Sequence, residues 1–267
     1  MIRHLITAAV LGFGILGTAL QAENTSSPVS AELLPGWRLP SGDHIAALRL
    51  VLAPGWKTYW RAPGDAGIPP VFGWQGSRGI SGVQVMWPVP HVFDQQGMRS
   101  IGYAKEVILP MRIAASSGGM TLAGRVQIGI CKDICIPEEL TIRADLPANV
   151  TRPDPRISAA MADASLSASE AGVGRVTCTL EPSRDGLFVT ARVEMPRAGR
   201  SEVAVLETGN PFLWVAEAQT ERRSGALIAR TEVMHVDGKS FALDRDGIRI
   251  TVLGNRMAVD IRGCPAP

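Results

Sequence analysis

The sequence predicts an all-β fold of two antiparallel β-sandwiches joined by a proline-rich linker and a short helix. Three observations lead there. The 267 residues include 28 Gly and 19 Pro, well above the share of about 12% in an average domain, so the chain turns often and is no helical bundle. Short runs of alternating apolar and polar residues recur between turn formers, at the spacing of stacked strands. One stretch, Leu146-Pro-Ala-Asn-Val-Thr-Arg-Pro-Asp-Pro155, holds three prolines in ten residues and divides those runs into two groups.

Residues 1–22 come first and read as a secretory signal peptide. Arg3 gives a basic start, Leu5 to Leu20 is uncharged and rich in Ala, Leu and Gly, and small residues stand at Ala19 and Ala22. The apolar run is shorter than the roughly 20 residues of a spanning helix, so cleavage is expected, with no stable membrane insertion afterwards. The mature chain would then work outside the cytoplasm, where disulfides form.

Residues 23–150 make the first domain, with strand patterning at Ile45–Leu52, Val83–Trp87, Glu106–Ile113, Met120–Ile130 and Leu140–Leu146. Residues 151–172 are the linker, in which Pro155–Ser169 is Ala-rich and entered through proline, as a short helix would be. Residues 173–267 make the second domain. Its strands are expected at Gly174–Leu180, Gly186–Met195, Ser201–Leu206, Phe212–Gln219, Ala226–Val236 and Gly247–Arg262, the last folded back at Leu253-Gly-Asn-Arg256.

Charge is close to balance, with 27 Lys and Arg against 25 Asp and Glu, which gives no basic footprint for nucleic acid or an anionic membrane. A hydrophobic content of 46% excludes wholesale disorder. Five tryptophans (Trp37, Trp56, Trp60, Trp74, Trp87) fall in the first half and Trp214 stands alone in the second. Such rings ordinarily fill a small core. Trp56-Lys-Thr-Tyr-Trp60, however, precedes a Pro- and Gly-rich segment that could carry rings to the rim. No nucleophile elbow, phosphate loop or zinc signature is present. Asp65, between Gly64 and Gly67, reads as a turn residue.

The four cysteines are the chemical signal. Their spacing pairs Cys131 with Cys135 and Cys178 with Cys264. The second pair closes a long loop and reads as a structural staple worth about 4 kcal/mol. The first closes a very small ring, which constrains the unfolded chain little and is the kind more readily reduced. Pro137 stops a helix from continuing after Cys135, so the pair sits at a strand end or hairpin without a helix dipole to lower a thiol pKa. Lys132 would favour a thiolate and Asp133 oppose it. A static hairpin bridge and a metal site stand as alternatives to redox cycling.

Several ordered motifs together resemble a known family. They are Ala53-Pro-Gly-Trp-Lys-Thr-Tyr-Trp-Arg-Ala-Pro-Gly-Asp-Ala-Gly-Ile-Pro-Pro70, Trp87-Pro-Val-Pro-His-Val-Phe-Asp94, Ile101-Gly-Tyr103 with Glu106-Val-Ile-Leu-Pro110, and Cys131-Lys-Asp-Ile-Cys135. Residues 35–150 resemble the periplasmic N-terminal domain of DsbD-type thiol:disulfide interchange proteins, in the branch associated with suppression of copper sensitivity. The resemblance implies immunoglobulin-like sandwiches and a periplasmic location. It implies a relay in which a membrane-embedded redox donor and thioredoxin-like periplasmic proteins are the partners. No cofactor is implied beyond the disulfide itself. It makes Cys131 and Cys135 the reactive pair and Tyr59 a lining residue. The segment Phe93-Asp94-Gln95-Gln96-Gly97-Met98 falls on a cap loop that shields the cysteines, helped by Tyr103. This chain has three residues between its cysteines, fewer than family members with wider spacing, and Gln95 and Gln96 where their cap carries aromatics.

Two other functions compete. Cys131 and Cys135 joined by His91, Met98 or Met86 would offer the soft ligands that Cu(I) prefers. The four His residues (His4, His44, His91, His235) form no ligand pair by spacing. A non-catalytic adaptor sandwich is the other alternative.

Overall fold

The computed structural model describes residues 27–95, 97–116 and 119–267. The expected signal peptide lies outside the described residues. Among them, no helix is long and apolar enough to cross a membrane.

Ten strands build the first sandwich: β1 (Val29–Arg38), β2 (His44–Leu52), β3 (Lys57–Tyr59), β4 (Val71–Gly73), β5 (Ile80–Val85), β6 (His91–Gln95), β7 (Met98–Ala104), β8 (Glu106–Ala115), β9 (Met120–Cys131) and β10 (Cys135–Leu146). One sheet runs in the order β1-β2-β8-β5. The other runs β10-β9-β3-β7-β6, with β4 also paired to β9. Alternate positions of β9 (Leu122, Val126, Ile128, Ile130) are buried against Leu48, Leu50 and Met111 of the facing sheet, the period-two pattern of a half-buried strand. Trp60 is fully buried in this core, and Trp56, Trp74 and Trp87 pack against its margin. These four tryptophans are therefore filler.

The linker is docked onto this sandwich. Helix α1 (Pro155–Ala162) begins with Asp154 as N-cap, its side chain accepting from Arg156 N–H at 2.8 Å. Ile157 is fully buried with Leu34, Trp37, Ile45 and Ala47. The helix is shorter than the Ala-rich stretch suggested, because the chain leaves it to enter the second sandwich.

That sandwich comprises β11 (Leu166–Ser167), β12 (Val176–Pro182), β13 (Gly186–Glu194), β14 (Glu202–Glu207), β15 (Leu213–Val215), β16 (Gln219–Arg223), β17 (Ala226–His235), β18 (Arg249–Gly254) and β19 (Ala258–Arg262). Its sheets run β11-β19-β18-β14 and β12-β13-β17-β15, with β16 also on β17. Strand β11, inside the expected linker, pairs in parallel with β19. The single strand expected at Phe212–Gln219 is interrupted and gives β15 and β16. Cys178 and Cys264 are bonded, both fully buried, with Cα atoms 5.4 Å apart.

The two sandwiches share packing. Leu253 and Ala258 of the second belong to the core cluster of the first, and Val203 and Val205 pack against it.

Candidate functional site

The exposed end of the second sheet holds the Cys131–Cys135 bridge. Cys131 closes β9, Cys135 opens β10, and the two are register partners with Cα atoms 4.1 Å apart. Cross-strand partners point to the same face, so the hairpin sets the sulfurs side by side. The turn is short, with Lys132 N–H donating to Ile134 O at 3.2 Å. The bridge is asymmetric: Cys131 is 4% exposed while Cys135 is open to solvent. Ile134 in the turn and Ile68 over Gly129 present apolar side chains at 69% and 38% exposure, and Val71, opposite Gln127, extends that face at 57%.

Strand β3 lies next to β9 and places Lys57 opposite Cys131. With a period of two, Lys57 and Tyr59 take the cysteine face and Thr58 the core face, where Thr58 Oγ1 donates to Gly129 O at 2.9 Å. The Tyr59 hydroxyl lies 3.1 Å from Cys135 Sγ. Its ring is held edge-on between two glycines. A methyl group at Gly129 would fall 2.8 Å from Tyr59 Cδ2, and one at Gly67 would fall 2.9 Å from Cδ1. Burial pushes the Tyr59 phenol above its ordinary pKa, so the hydroxyl keeps its proton and can donate to sulfur.

Lys57 was not singled out by sequence reasoning. Its Nζ donates to Ser100 Oγ at 2.8 Å and lies 5.2 Å from the centre of the Phe93 ring. Burial lowers its pKa. Lys132, the expected thiolate partner, has its stem over the turn before β3, with Cε 3.0 Å from where a Gly55 Cβ would stand.

Of the expected cap, Phe93 reaches Lys57 as just described, and Asp94 Oδ1 accepts the Gly97 N–H at 3.1 Å to close the β6–β7 turn. Gln95 pairs through its backbone with Met98, whose side chain is 60% exposed. Gln96 lies outside the described residues. Strand β3 stands between this hairpin and β9, and Cys135 is exposed. Tyr103 needs correction. It pairs with Thr58 on the core face, is 5% exposed, and donates its hydroxyl to Pro88 O at 2.8 Å. The odd–even alternation of β7 turns it away from the sulfurs.

The candidate copper ligands are not brought together. Met86 packs on the cluster beneath α1, and His91 lies on β6 with its ring 6.2 Å from Phe93. Among the described residues, no three His, Cys, Asp or Glu side chains gather as a metal site.

Fold and site together define a two-sandwich β protein with a solvent-facing disulfide across the hairpin that ends one sheet. Residues 30–147 match the family described as thiol:disulfide interchange protein DsbD, N-terminal. The match spans the first sandwich, and the second lies beyond it. The crystal structure of the N-terminal periplasmic domain of ScsB from Proteus mirabilis superposes with a TM-score of 0.69 at 21% identity, covering 92% of this chain and 96% of that one. At that identity the likeness establishes the shared fold. No curated protein matches the chain.

Proposed function

We propose that the chain is a periplasmic thiol–disulfide relay protein working through Cys131 and Cys135. The observation that carries this reading is the asymmetry of the bridge, with Cys135 an exposed residue beside a phenol and Cys131 buried. A donor thiolate attacks Cys135 Sγ, the S–S bond breaks, and Cys131 leaves as thiolate and takes up a proton. A second donor thiol then attacks the mixed disulfide, releasing Cys135 as thiolate and the donor as disulfide. The pair has gained two electrons. Cys135 thiolate next attacks a client disulfide, and Cys131 resolves the adduct, returning the bridge and leaving a reduced client.

The family match supports thioredoxin-like proteins as clients and a membrane-embedded redox protein as donor. The exposed apolar side chains of Ile134, within the cysteine turn, and Ile68, over Gly129, suit a docking protein surface. Residues 1–22 would direct export, and the Cys178–Cys264 bridge would be a staple without redox turnover. The test is trapping. With Cys131 replaced by Ala, Cys135 should form a mixed disulfide with an oxidised thioredoxin-fold protein and keep it for want of a resolving thiol. No adduct from either single-cysteine variant would refute the relay.

A further inference from the structure

The second sandwich touches the same elements that hold Tyr59 against Cys135. The loop of residues 61–69 leaves β3 directly after Tyr59 and Trp60 and returns over the Tyr59 ring at Gly67 and Ile68. On its own sandwich the loop is fixed by Ile101 N–H donating to Pro63 O at 2.9 Å. Its other anchors cross to the second sandwich. Arg61 donates Nε and Nη2 to the two carboxylate oxygens of Glu207 at 3.0 and 2.9 Å, and Nη2 also to Thr251 Oγ1 at 3.1 Å. The guanidinium lies 3.8 Å from the centre of the Trp60 ring. Both partners are largely buried, at 14% and 22% exposure, where a paired geometry of this kind is stiff. Farther along, Asp65 Oδ2 accepts the Glu217 N–H at 3.4 Å. Glu217 also pairs through its carboxylate with Arg99 at 2.8 Å, beside the β6–β7 turn.

We propose that the second sandwich is a positioning element of the redox site: the Glu207 side chain and the Glu217 backbone hold the 61–69 loop, and through the loop the Tyr59 ring that contacts Cys135. Glu207 acts through Arg61 at the start of the loop. Glu217 acts through its backbone N–H, which Asp65 accepts at the crest of the loop. Both glutamates are positioning residues; neither touches sulfur. Loosening either anchor lets the loop lift from the ring, and the hydroxyl then spends less time on Sγ. This gives the second sandwich a function in the chemistry of the first, and it rests on reading Cys131–Cys135 as the exchanging pair.

The test is a double-mutant cycle on the full chain. In a Cys131→Ala background, the ionisation of Cys135 is followed by thiolate absorbance against pH. Glu207→Gln should weaken that ionisation by about threefold to tenfold, the equilibrium worth of a single hydrogen bond. In a Tyr59→Phe background the same substitution should change nothing, since the hydroxyl it controls is gone. Asp65→Ala, which removes the acceptor of the Glu217 N–H on an exposed loop and tolerates folding better, should show the same pattern at smaller size. Glu181→Gln, at an exposed pair with Arg230, is the control that should leave the constant alone. A merely structural role would lower thermal stability without moving the ionisation. An equal shift in both backgrounds, or none in folded Glu207→Gln, would overturn the proposal. The ionisation constant can be read whether or not the pair serves a client, so failure of the relay would leave this result standing.

Discussion

Tyr59→Phe keeps the ring that Gly67 and Gly129 enclose and removes only the hydroxyl 3.1 Å from Cys135 Sγ. Burial holds the Tyr59 phenol protonated above its ordinary pKa, so in the native chain it donates throughout the titration of the thiol. A hydrogen bond to a charged acceptor is worth about 1.5–3 kcal/mol, and 1.36 kcal/mol corresponds to about one pKa unit. The Cys135 thiol of Tyr59→Phe should therefore titrate about one to two units higher. The reduced pair is the less stabilised partner, so the reduction potential moves negative, by about 30 mV for each 1.4 kcal/mol lost where the thiolate predominates. Thiolate absorbance against pH, in a Cys131→Ala background, measures the first shift; glutathione equilibration of the two-cysteine protein measures the second. An unchanged Cys135 pKa in folded Tyr59→Phe would refute the claim that this hydroxyl stabilises the thiolate.

Gly129→Ala would put a methyl 2.6 Å from Ile68 Cβ as well as against the Tyr59 ring, costing about 1–3 kcal/mol in denaturant unfolding, while Gly82→Ala meets open space and should be near neutral. Replacing Cys178 and Cys264 together by Ala should cost about 4 kcal/mol yet leave the glutathione equilibrium of Cys131–Cys135 unchanged. Glu202 bonds Arg222 at 2.6 and 2.7 Å and the Ala198 N–H at 2.7 Å. Burial alone would raise its pKa, but these partners outweigh it and hold the carboxyl below the ordinary range. Its contribution is thus present above the unfolded carboxylate pKa and lost as pH falls through the lower folded value. Glu202→Gln should cost about 3 kcal/mol at neutral pH, and its stability should fall less steeply than the native protein's below about pH 4.

Long alternating strands were legible in the sequence because burial on one face writes itself as period two: β2, β8, β9, β13 and β17 coincide closely with their patterns. What escaped were elements specified by neighbours. Strand β3 is three residues long, too short to display a period. Strand β1 carries Pro35 and Gly36, residue types that ordinarily break a strand pattern but here form an irregularity between Leu34 and Trp37, with Gly36 at φ +65° beneath the Ile45 carbonyl. At the site, the cysteine pairing followed from spacing. The contact of Tyr59 with Cys135 and the placement of Lys57 depend on register across β3 and β9, which no local pattern encodes. Tyr103 was misassigned for the same reason, since motif proximity does not say which face a strand residue takes. The Arg61–Glu207 pair spans 146 positions and leaves no trace in local sequence.

The most direct measurement counts thiols, cysteine by cysteine, after fully oxidised chain is mixed with a reduced thioredoxin-fold protein. Acid quenching, alkylation and peptide mass spectrometry would report each of the four sulfurs. The relay account predicts that Cys131 and Cys135 become reduced as the partner is oxidised in equal amount, while Cys178–Cys264 stays bonded. A Cys131–Cys135 bridge that remains intact at the point where the partner's own dithiol equilibrates with glutathione would contradict it.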